Sequence, residues 1–391
     1  MLKSSRIEDM LAKGAMCHLN VETDQPQDES TSPRPQGGKR RPKNIMIEIP
    51  KVDPPVQKQS DLFANLTLDK LVVKCLIGTG NCSEVVLAVN KCALDAHVTS
   101  SRPVSLADVV ALKVLQKDRI SKAHKSAIIA ELRVFELLKE EPHPFLARMV
   151  TFSESKTRLW MGVEFYPGGD LRSMLARTGG FSEAQVCIYT MEIALALAHL
   201  HSLNVLYGDV KPENVAIAAD GHIKLIDFGL SVIFEEEVHF NERRGRMEIV
   251  THSGTVGYCA PEVLWRRPHS FESDWWSLGV LVHEIATGFL PWDDEDPLEL
   301  TYMICSTSFR NRHGIESESL LDFVSQLLDK DVEARLGYGG WNEVFNHRFL
   351  AELDTRATLD RLLRPPVVPI LANAMDVSNF SPYFTERSLD Y

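Results

Sequence analysis

The segment LYGDVKPENVAI places three polar side chains close together in the chain: Asp209, Lys211 and Asn214. A carboxylate can accept a proton from a hydroxyl group, an ammonium can neutralise a phosphate, and an amide oxygen can bind Mg²⁺. Phosphoryl transfer needs these groups, because it depends on positioning and charge neutralisation more than on covalent chemistry. Asp227, in the IDFG sequence that follows, offers a second oxygen ligand for Mg²⁺.

A lysine earlier in the chain completes the candidate site. Lys113 ends the apolar segment VALK and could reach the α- and β-phosphates of a nucleotide. Glu131, on the following helix, is the candidate carboxylate that orients this ammonium. Glu136 is a rival, but it lies on another face of the helix. A strand lysine that simply points to solvent is the alternative interpretation of Lys113.

The segment IGTGNCSEV resembles a phosphate-binding loop. Gly78 and Gly80 allow the backbone N–H groups to approach a phosphate closely. A dinucleotide-binding fingerprint would have a third glycine at position 83 and a helix after it, whereas this chain has Ser83 and a strand. A hairpin over nucleotide phosphates is therefore favoured. An ordinary hairpin turn is the alternative.

The elements that would position these residues are strands first and helices later. Apolar runs at 68–77, 84–90, 108–115 and 158–165 predict strands, and a long polar loop is expected between the second and the third. The segment 127–140 has apolar residues at helical spacing. This order predicts two lobes of different structural class.

Further along the chain, the pattern becomes mostly helical. Ser182 and Gln185 form a capping box before a long helix that is apolar almost all round and therefore buried. The sequence ADG predicts a hairpin turn between two short strands. After about residue 260 the chain is predicted to be helical, and FESDWWSLGVLVHEIATG is expected to form another buried helix.

Composition limits the classes of function. The chain has 391 residues and a net charge of −12, so general binding to nucleic acid or to an anionic membrane is not expected. Cationic partners, including basic peptides, fit this charge better. The seven cysteines include no CxxC pair, which indicates reduced thiols in a cytoplasmic or nuclear protein. No run of 18 apolar residues is present, so no membrane span is expected.

The N-terminal part has a different composition. Residues 20–60 are rich in Pro, Gln, Ser, Lys and Asp, which is typical of disorder. The basic cluster GKRRPKN within them is either a nuclear localisation signal or a solvated charge run. We therefore predict a disordered extension over residues 1–67.

Six segments of the chain resemble the eukaryotic protein kinase motifs in order and spacing: GTGNCSEV, VALK, YGDVKPEN, DFG, APE and DWWSLG. The resemblance implies an α+β, two-lobed protein kinase fold, with a small antiparallel β-rich N-lobe that has one helix and a larger, mainly helical C-lobe. The implied boundaries are 68–165 for the N-lobe, 166–350 for the C-lobe and 351–391 for a C-terminal tail. Further features resemble the AGC group of Ser/Thr kinases, which includes the cyclic-nucleotide-dependent and ribosomal S6 kinases. They are the segment DWWSLG, the tyrosine in place of the catalytic-loop histidine, and the tail segments RPPVVP and DVSNFSPYF.

This resemblance implies ATP and Mg²⁺ as cofactors and a set of site residues. The implied catalytic residues are Asp209, Lys211, Lys113 and Glu131, and Asn214 and Asp227 would hold the metal. The other residues implied to contact the nucleotide are Ile77, Gly78, Thr79, Gly80, Asn81, Cys82, Ser83, Val85, Ala111, Glu164 and Tyr166. A nucleotide-binding pseudokinase that acts as a scaffold is the alternative function.

Three carboxylates fall where basic-directed members of the group hold substrate arginines: Asp170, Glu213 and Glu284. Each alone could be a solvated carboxylate. Together they predict protein substrates with basic residues upstream of Ser or Thr.

The resemblance also implies structural contacts. We expect an apolar column that links the lobes, formed by Phe135, Met149, Tyr207 and Phe228. We also expect a bridge between Glu262 of the APE segment and Arg335 of ARLG, and hydrogen bonds from N–H groups of the catalytic loop to the carboxylate of Asp274.

The residues implied to regulate the activity depart most from the pattern of the group. Gly208 and Val232 stand where relatives have basic residues that bind a phosphorylated threonine, yet Thr251 occupies the threonine position. Thr251 is therefore a candidate regulatory site for an upstream activating kinase; either it is not phosphorylated, or a group other than the missing arginine binds its phosphate. One hypothesis is that a basic residue of the RRGR segment 243–246 replaces the lost arginine and pairs with Glu235–Glu237 before modification.

Overall fold

The computed structural model describes residues 67–388, apart from positions 81, 82, 243 and 252. The predicted disordered extension lies outside the described residues up to residue 66, and so does its basic cluster. The candidate nucleotide-binding residues Asn81 and Cys82 also lie outside them.

The first lobe is built on one antiparallel sheet of five strands in the order β1-β2-β3-β5-β4. Alternating Val, Leu and Ile side chains favour these extended segments, because they pack against both faces of a pleated sheet. The strands are β1 Leu71–Thr79, β2 Ser83–Asn90, β3 Val109–Gln116, β4 Met149–Glu154 and β5 Arg158–Glu164. Strand β4 was not predicted from the sequence.

The long polar loop predicted between β2 and β3 is wrong in part, because helix α1, Lys91–Ser100, begins directly after β2. The Asn90 side chain accepts a hydrogen bond from the Cys92 N–H and so caps the helix. None of the α1 residues is buried, which explains why hydrophobic periodicity gave no signal. Helix α2, Lys122–Glu140, follows β3 and contains the predicted helical segment.

The second lobe is mainly helical. Its principal helices are α3 Leu171–Thr178, α4 Glu183–Ser202, α5 Glu236–His239, α6 Pro261–Leu264, α7 Glu272–Thr287, α8 Pro297–Ser306, α9 Glu318–Leu327, α10 Trp341–Phe345 and α11 Thr355–Leu359. The predicted capping box begins α4, where the Ser182 N–H donates to Gln185 Oε1 at 3.0 Å. Both α4 and α7 are buried along most of their length, as predicted.

Short strands connect the helical lobe to the site. They are β6 Val205–Leu206, β7 Val215–Ile217, β8 Ile223–Leu225, β9 Val232–Ile233, β10 Phe240–Asn241 and β11 Arg246–Met247. β7 and β8 form the predicted hairpin, and Gly221 in its turn has φ +90°. This left-handed conformation is one that glycine adopts without steric cost.

The C-terminal tail returns to the first lobe. The ring of Phe380 stacks on that of Phe165 at a centroid distance of 5.6 Å. Helix α12, Pro382–Thr385, contacts β1. Among the described residues, no helix is both long and apolar enough to cross a membrane.

Candidate active site

Lys113 lies at the centre of a network of charges between the lobes. Its Nζ atom is 3.0 and 2.8 Å from the two carboxylate oxygens of Glu131 on α2, and 3.2 Å from Asp227 Oδ1. The structure therefore brings together three residues that lie on β3, on α2 and after β8. Glu131, not Glu136, makes the predicted contact with Lys113.

The protonation states of these groups follow from their contacts. Burial by itself would lower the pKa of Lys113, but the charges and hydrogen bonds of Glu131 and Asp227 outweigh burial and raise it. Burial would raise the pKa of Asp227, but Lys113 and the Gly229 N–H lower it below its ordinary value. At neutral pH the site therefore holds an ammonium beside an ionised aspartate, which suits binding of a metal–phosphate complex.

The catalytic-loop segment gathers its polar groups around Asp209. Lys211 Nζ lies 2.6 Å from Asp209 Oδ2, and the Asn214 amide donates to the same oxygen at 2.8 Å. The hydroxyl of Thr255 donates to the other oxygen, Oδ1, at 3.2 Å, and Lys211 donates to that hydroxyl at 2.8 Å. Asp209 is thus held in one orientation by donors from two segments of the chain.

The β7–β8 hairpin places Asn214 and Asp227 side by side. Val215 pairs with Leu225 in this hairpin, so the residues that flank its open end emerge at the same place. The Ile226 N–H donates to the Asn214 carbonyl at 3.0 Å, which fixes the two flanking segments to each other.

These oxygens fit the chemistry of Mg²⁺. Among the described residues, no group of three or more His, Cys, Asp or Glu side chains could hold a metal ion by itself. Mg²⁺ is commonly bound by one or two protein oxygens together with substrate phosphates and water. Asn214 and Asp227 supply such a pair of oxygens, and the remaining ligands would come from a nucleotide.

The glycine segment is a hairpin, as favoured from the sequence. Gly78 pairs with Val85 and Thr79 with Glu84, and the Gly80 N–H donates to the Ser83 carbonyl at 2.7 Å. No helix follows it, so the dinucleotide-binding alternative is excluded.

An apolar surface lies between this hairpin and the segment that links the lobes. Ile77 and Ala111 are buried in one cluster with Phe165, and Val85 packs against that cluster. Glu164 ends β5, and Tyr166 follows it at the hinge between the lobes. The Glu164 side chain is held by Arg148 at 2.6 Å and by the Tyr166 hydroxyl at 3.2 Å.

Aromatic rings connect the two lobes behind the charged groups. The rings of Phe135 and Phe228 meet edge to face at 5.1 Å, and those of Phe228 and Tyr207 at 5.8 Å. Met149 packs against the same core. The three aromatic residues of the predicted column are therefore in contact in series, and they join α2 to the DFG segment and the catalytic loop.

The base of the catalytic loop is fixed by Asp274 on α7. Its two carboxylate oxygens accept hydrogen bonds from the N–H groups of Tyr207 and Gly208, each at 2.9 Å, as predicted. His201 Nε2 lies 2.8 Å from the same carboxylate.

The predicted bridge between Glu262 and Arg335 is also formed. The two guanidinium nitrogens of Arg335 reach the two carboxylate oxygens of Glu262 at 2.5 and 3.0 Å. Both side chains are buried, with exposed fractions of 0% for Arg335 and 5% for Glu262.

Comparison with known proteins agrees with this geometry. The model of the protein kinase domain matches residues 71–350 of the chain. The chain belongs to the protein kinase family. It is 34% identical over 309 residues to the Homo sapiens cAMP-dependent protein kinase catalytic subunit PRKX. The aligned residues make up 78% of this chain and 79% of that relative.

Other relatives of this kinase belong to the same AGC group of serine/threonine kinases, which confirms the resemblance. It is 34% identical over 288 residues to the Homo sapiens ribosomal protein S6 kinase alpha-2, 71% of this chain and 37% of that protein. It is 34% identical over 284 residues to the Caenorhabditis elegans serine/threonine-protein kinase sgk-1, 72% of this chain and 59% of that protein. The kinase thus spans only part of the length of these two relatives.

The three candidate substrate carboxylates have different surroundings. Asp170 Oδ1 accepts the Ser173 N–H at 2.6 Å and caps α3. Glu213 and Glu284 converge on the same side chain, Arg172, which contacts Glu213 at 2.9 Å. Two of the three predicted carboxylates are therefore brought together, and an arginine of the kinase itself joins them.

Gly208 is explained by its backbone. Its φ is +81°, and a Cβ atom at this position would lie 2.8 Å from the Leu230 carbonyl oxygen. This position, where the resemblance implies an arginine, therefore has no room for a side chain without backbone movement. Beside it is a cavity lined by Leu206, Gly208, Leu230, Val232, Thr251, Ser253, Cys259, Ala260, Val263, His269, Ser273, Asp274 and Ser277, with no Lys or Arg among these described residues.

The hypothesis that the RRGR segment pairs with Glu235 before modification is wrong for the described residues. Arg244 contacts Glu248, and Arg246 contacts Glu248 and Glu272. Glu235 instead accepts a hydrogen bond from Arg133 on α2 at 2.8 Å. Arg243 and the side chains of residues 236 and 237 lie outside the described part of the chain.

Sequence reasoning missed three side chains at this site: Thr255, Tyr258 and Arg172. All three act across long sequence separations, since Thr255 contacts Asp209 over 46 residues and Tyr258 contacts Glu284 over 26. For Thr255 and Tyr258 the available signal was their polar character in the segment just before APE, and Arg172 had no such signal.

Proposed function

We propose that this kinase transfers the γ-phosphate of ATP to serine or threonine side chains of protein substrates that carry basic residues upstream. The observation that carries the proposal is the contact of Lys113 with both Glu131 and Asp227, beside a catalytic loop in which Asp209 is already oriented. Phosphoryl transfer requires this preorganised set of charges.

Each residue has a defined part in this mechanism. Lys113 binds and orients the nucleotide phosphates, and Glu131 keeps its ammonium in place. Asp209 accepts the proton of the substrate hydroxyl, and Lys211 neutralises charge on the transferred group. Mg²⁺ bound by Asn214 and Asp227 would neutralise the phosphate oxygens.

The pseudokinase alternative receives no support from the site. All six charged or polar groups that the chemistry needs are present, and the structure joins them in two hydrogen-bonded networks. Gly208 alters the surroundings of Thr251 rather than these networks.

A preference for basic substrates is supported by the net charge of −12, since an acidic protein attracts cationic peptides over a distance. We expect serine peptides rich in upstream arginine to be phosphorylated with a higher kcat/KM than neutral peptides of equal length. The difference should decrease with added salt, since exposed charges are screened. Steady-state kinetics on matched peptides measures this ratio. Equal kcat/KM values for basic and neutral peptides at low salt would contradict the preference.

We also propose that Thr251 is phosphorylated by an upstream activating kinase. Its hydroxyl lies 3.1 Å from Nε2 of the buried His269, whose Nδ1 lies 2.9 Å from the Arg267 carbonyl. The imidazole of His269 would give a phosphate a hydrogen-bond partner in place of the absent arginine. We expect Thr251→Ala to lower kcat/KM severalfold in kinase purified from cells, with Thr99→Ala on α1 as an unaffected control. Unchanged activity of Thr251→Ala would contradict this role.

A further inference from the structure

Arg172 lies on the first turn of α3 and reaches into the pair of carboxylates predicted to hold a substrate arginine. Its Nε donates to Glu213 Oε1 at 2.9 Å. Its two terminal nitrogens contact Glu284, with Nη2 at 3.3 Å from Oε2, and Nη2 also contacts the Tyr258 hydroxyl. The three nitrogens of one guanidinium therefore bond to two carboxylates and a phenol.

This cluster joins distant parts of the chain. Glu213 belongs to the catalytic loop, four residues after Asp209, and Glu284 is near the end of α7. The phenol of Tyr258 bonds to Glu284 as well as to Arg172. A guanidinium binds carboxylates in a fork-like geometry that an ammonium cannot reproduce, so an arginine is well suited to link these groups.

The cluster is buried at Glu284 and open to solvent at Arg172 and Glu213. The side chain of Glu284 is 4% exposed, whereas those of Arg172 and Glu213 are 35% and 45% exposed. Glu284 therefore depends on a cation for its stability, because a buried and unpaired carboxylate is unfavourable. The exposed side of Arg172 leaves a path by which another guanidinium can approach and replace it.

We propose that Arg172 is a specificity-determining residue that takes the place of a substrate arginine at Glu213 and Glu284. A substrate arginine can bind this pair only by displacing Arg172. The exchange replaces one guanidinium by another, so it yields little net binding energy. The wild-type kinase therefore gains little from an arginine at this one substrate position, and loss of Arg172 opens the pair to the substrate.

This inference rests on the proposed function, since it concerns the peptide-binding side of the same cleft. It is distinct from a general preference for basic peptides, which long-range attraction to an acidic protein also produces. Only the response of one substrate position to removal of Arg172 reports on the Glu213–Glu284 pair.

The experiment is a scan with serine peptides that carry a single arginine at successive upstream positions, each compared with the all-alanine peptide. For the wild type we expect kcat/KM ratios within about threefold at every position. For Arg172→Met, which keeps the length of the side chain but not its charge, we expect the ratio at one position to rise on the order of tenfold, as for a newly formed charge-assisted contact. An unchanged ratio at all positions would overturn the proposal, as would a wild-type ratio that already equals that of Arg172→Met at the position where the variant is most selective.

Matched variants separate specificity from folding. Arg177→Met removes an arginine from the same helix that donates a hydrogen bond to the Asn379 carbonyl of the tail, at 3.4 Å, and it should leave the ratios unchanged. Arg172→Lys keeps a cation beside Glu284 and should give an intermediate ratio. Adding Glu284→Gln to Arg172→Met should remove the gained selectivity, and persistence of that selectivity would contradict the assignment of the pair.

Peptide affinity, measured with a fluorescently labelled peptide by anisotropy, keeps this test independent of turnover. The arginine peptide should bind Arg172→Met on the order of tenfold more tightly than it binds the wild type. It should also raise the melting temperature of that variant, because it supplies the missing cation. If no peptide is phosphorylated by any variant, the proposed function fails. If peptides are phosphorylated but Arg172→Met changes neither affinity nor selectivity, only the present inference fails.

Discussion

Replacement of Asp209 by asparagine is expected to lower kcat by about 10²- to 10⁴-fold, the usual contribution of a positioned general base. Asparagine has nearly the same shape and can still accept the Asn214 hydrogen bond, so the loop should keep its structure. It cannot accept the proton of the substrate hydroxyl. Steady-state phosphorylation of a serine peptide measures the loss of kcat.

The affinity for nucleotide distinguishes this effect from misfolding. We expect the Kd for ATP to stay within about twofold of the wild type, because Lys113 and Asp227 are untouched by the change. Asp220→Asn is a matched control, since Asp220 lies in the β7–β8 turn and contacts Arg361. Equal losses of kcat in both variants, or an unchanged kcat in Asp209→Asn, would contradict the assignment of the base.

Replacement of Arg335 by methionine is expected to destabilise the kinase by about 3–5 kcal/mol, because it leaves a buried carboxylate without its partner. The guanidinium of Arg335 bonds to Glu262 and also donates to the carbonyls of Glu272 and Asp329, at 3.0 and 2.9 Å. It lies 5.0 Å from the centre of the Trp276 ring. Urea denaturation measures the free energy of unfolding.

Two comparisons sharpen this prediction. Arg348→Met removes an arginine that is 56% exposed and pairs with Asp322, so it should cost less than about 1 kcal/mol. Adding Glu262→Met to Arg335→Met should restore part of the lost stability, because no unpaired charge remains. A loss below about 1 kcal/mol in Arg335→Met would show that the bridge has no structural role.

Much of the fold could be predicted from the sequence because its local signals agree with its tertiary packing. Apolar runs placed four of the five strands of the large sheet, and the Ser182–Gln185 capping box placed the start of α4. Helix α1 escaped because it buries no residue, so it has no apolar face to reveal it. Strand β4 was missed, and all six of its residues are only partly buried.

In the candidate site, too, some residues could be predicted from the sequence and others could not. The motifs identified Lys113, Asp209 and Asp227 because these residue types at these spacings serve one chemistry. In the structure Lys113 contacts Asp227, and Lys211, which contacts Asp209, is close enough to help lower the pKa of Asp227. Gly208 had no explanation until its φ of +81° and the nearby Leu230 carbonyl were known.

Arg172 could not be found from spacing alone. It stands 41 residues from Glu213 and 112 from Glu284, so only the fold makes them neighbours.

The most direct measurement of the central claim is a single-turnover reaction with excess kinase, γ-labelled ATP and a serine peptide, with and without Mg²⁺. The structure predicts label on the serine, detected by mass spectrometry, only when Mg²⁺ is present and Asp209 is intact. Tight binding of ATP with no transfer to the peptide, or equal transfer by the wild type and Asp209→Asn, would contradict the proposal that this cleft catalyses phosphoryl transfer.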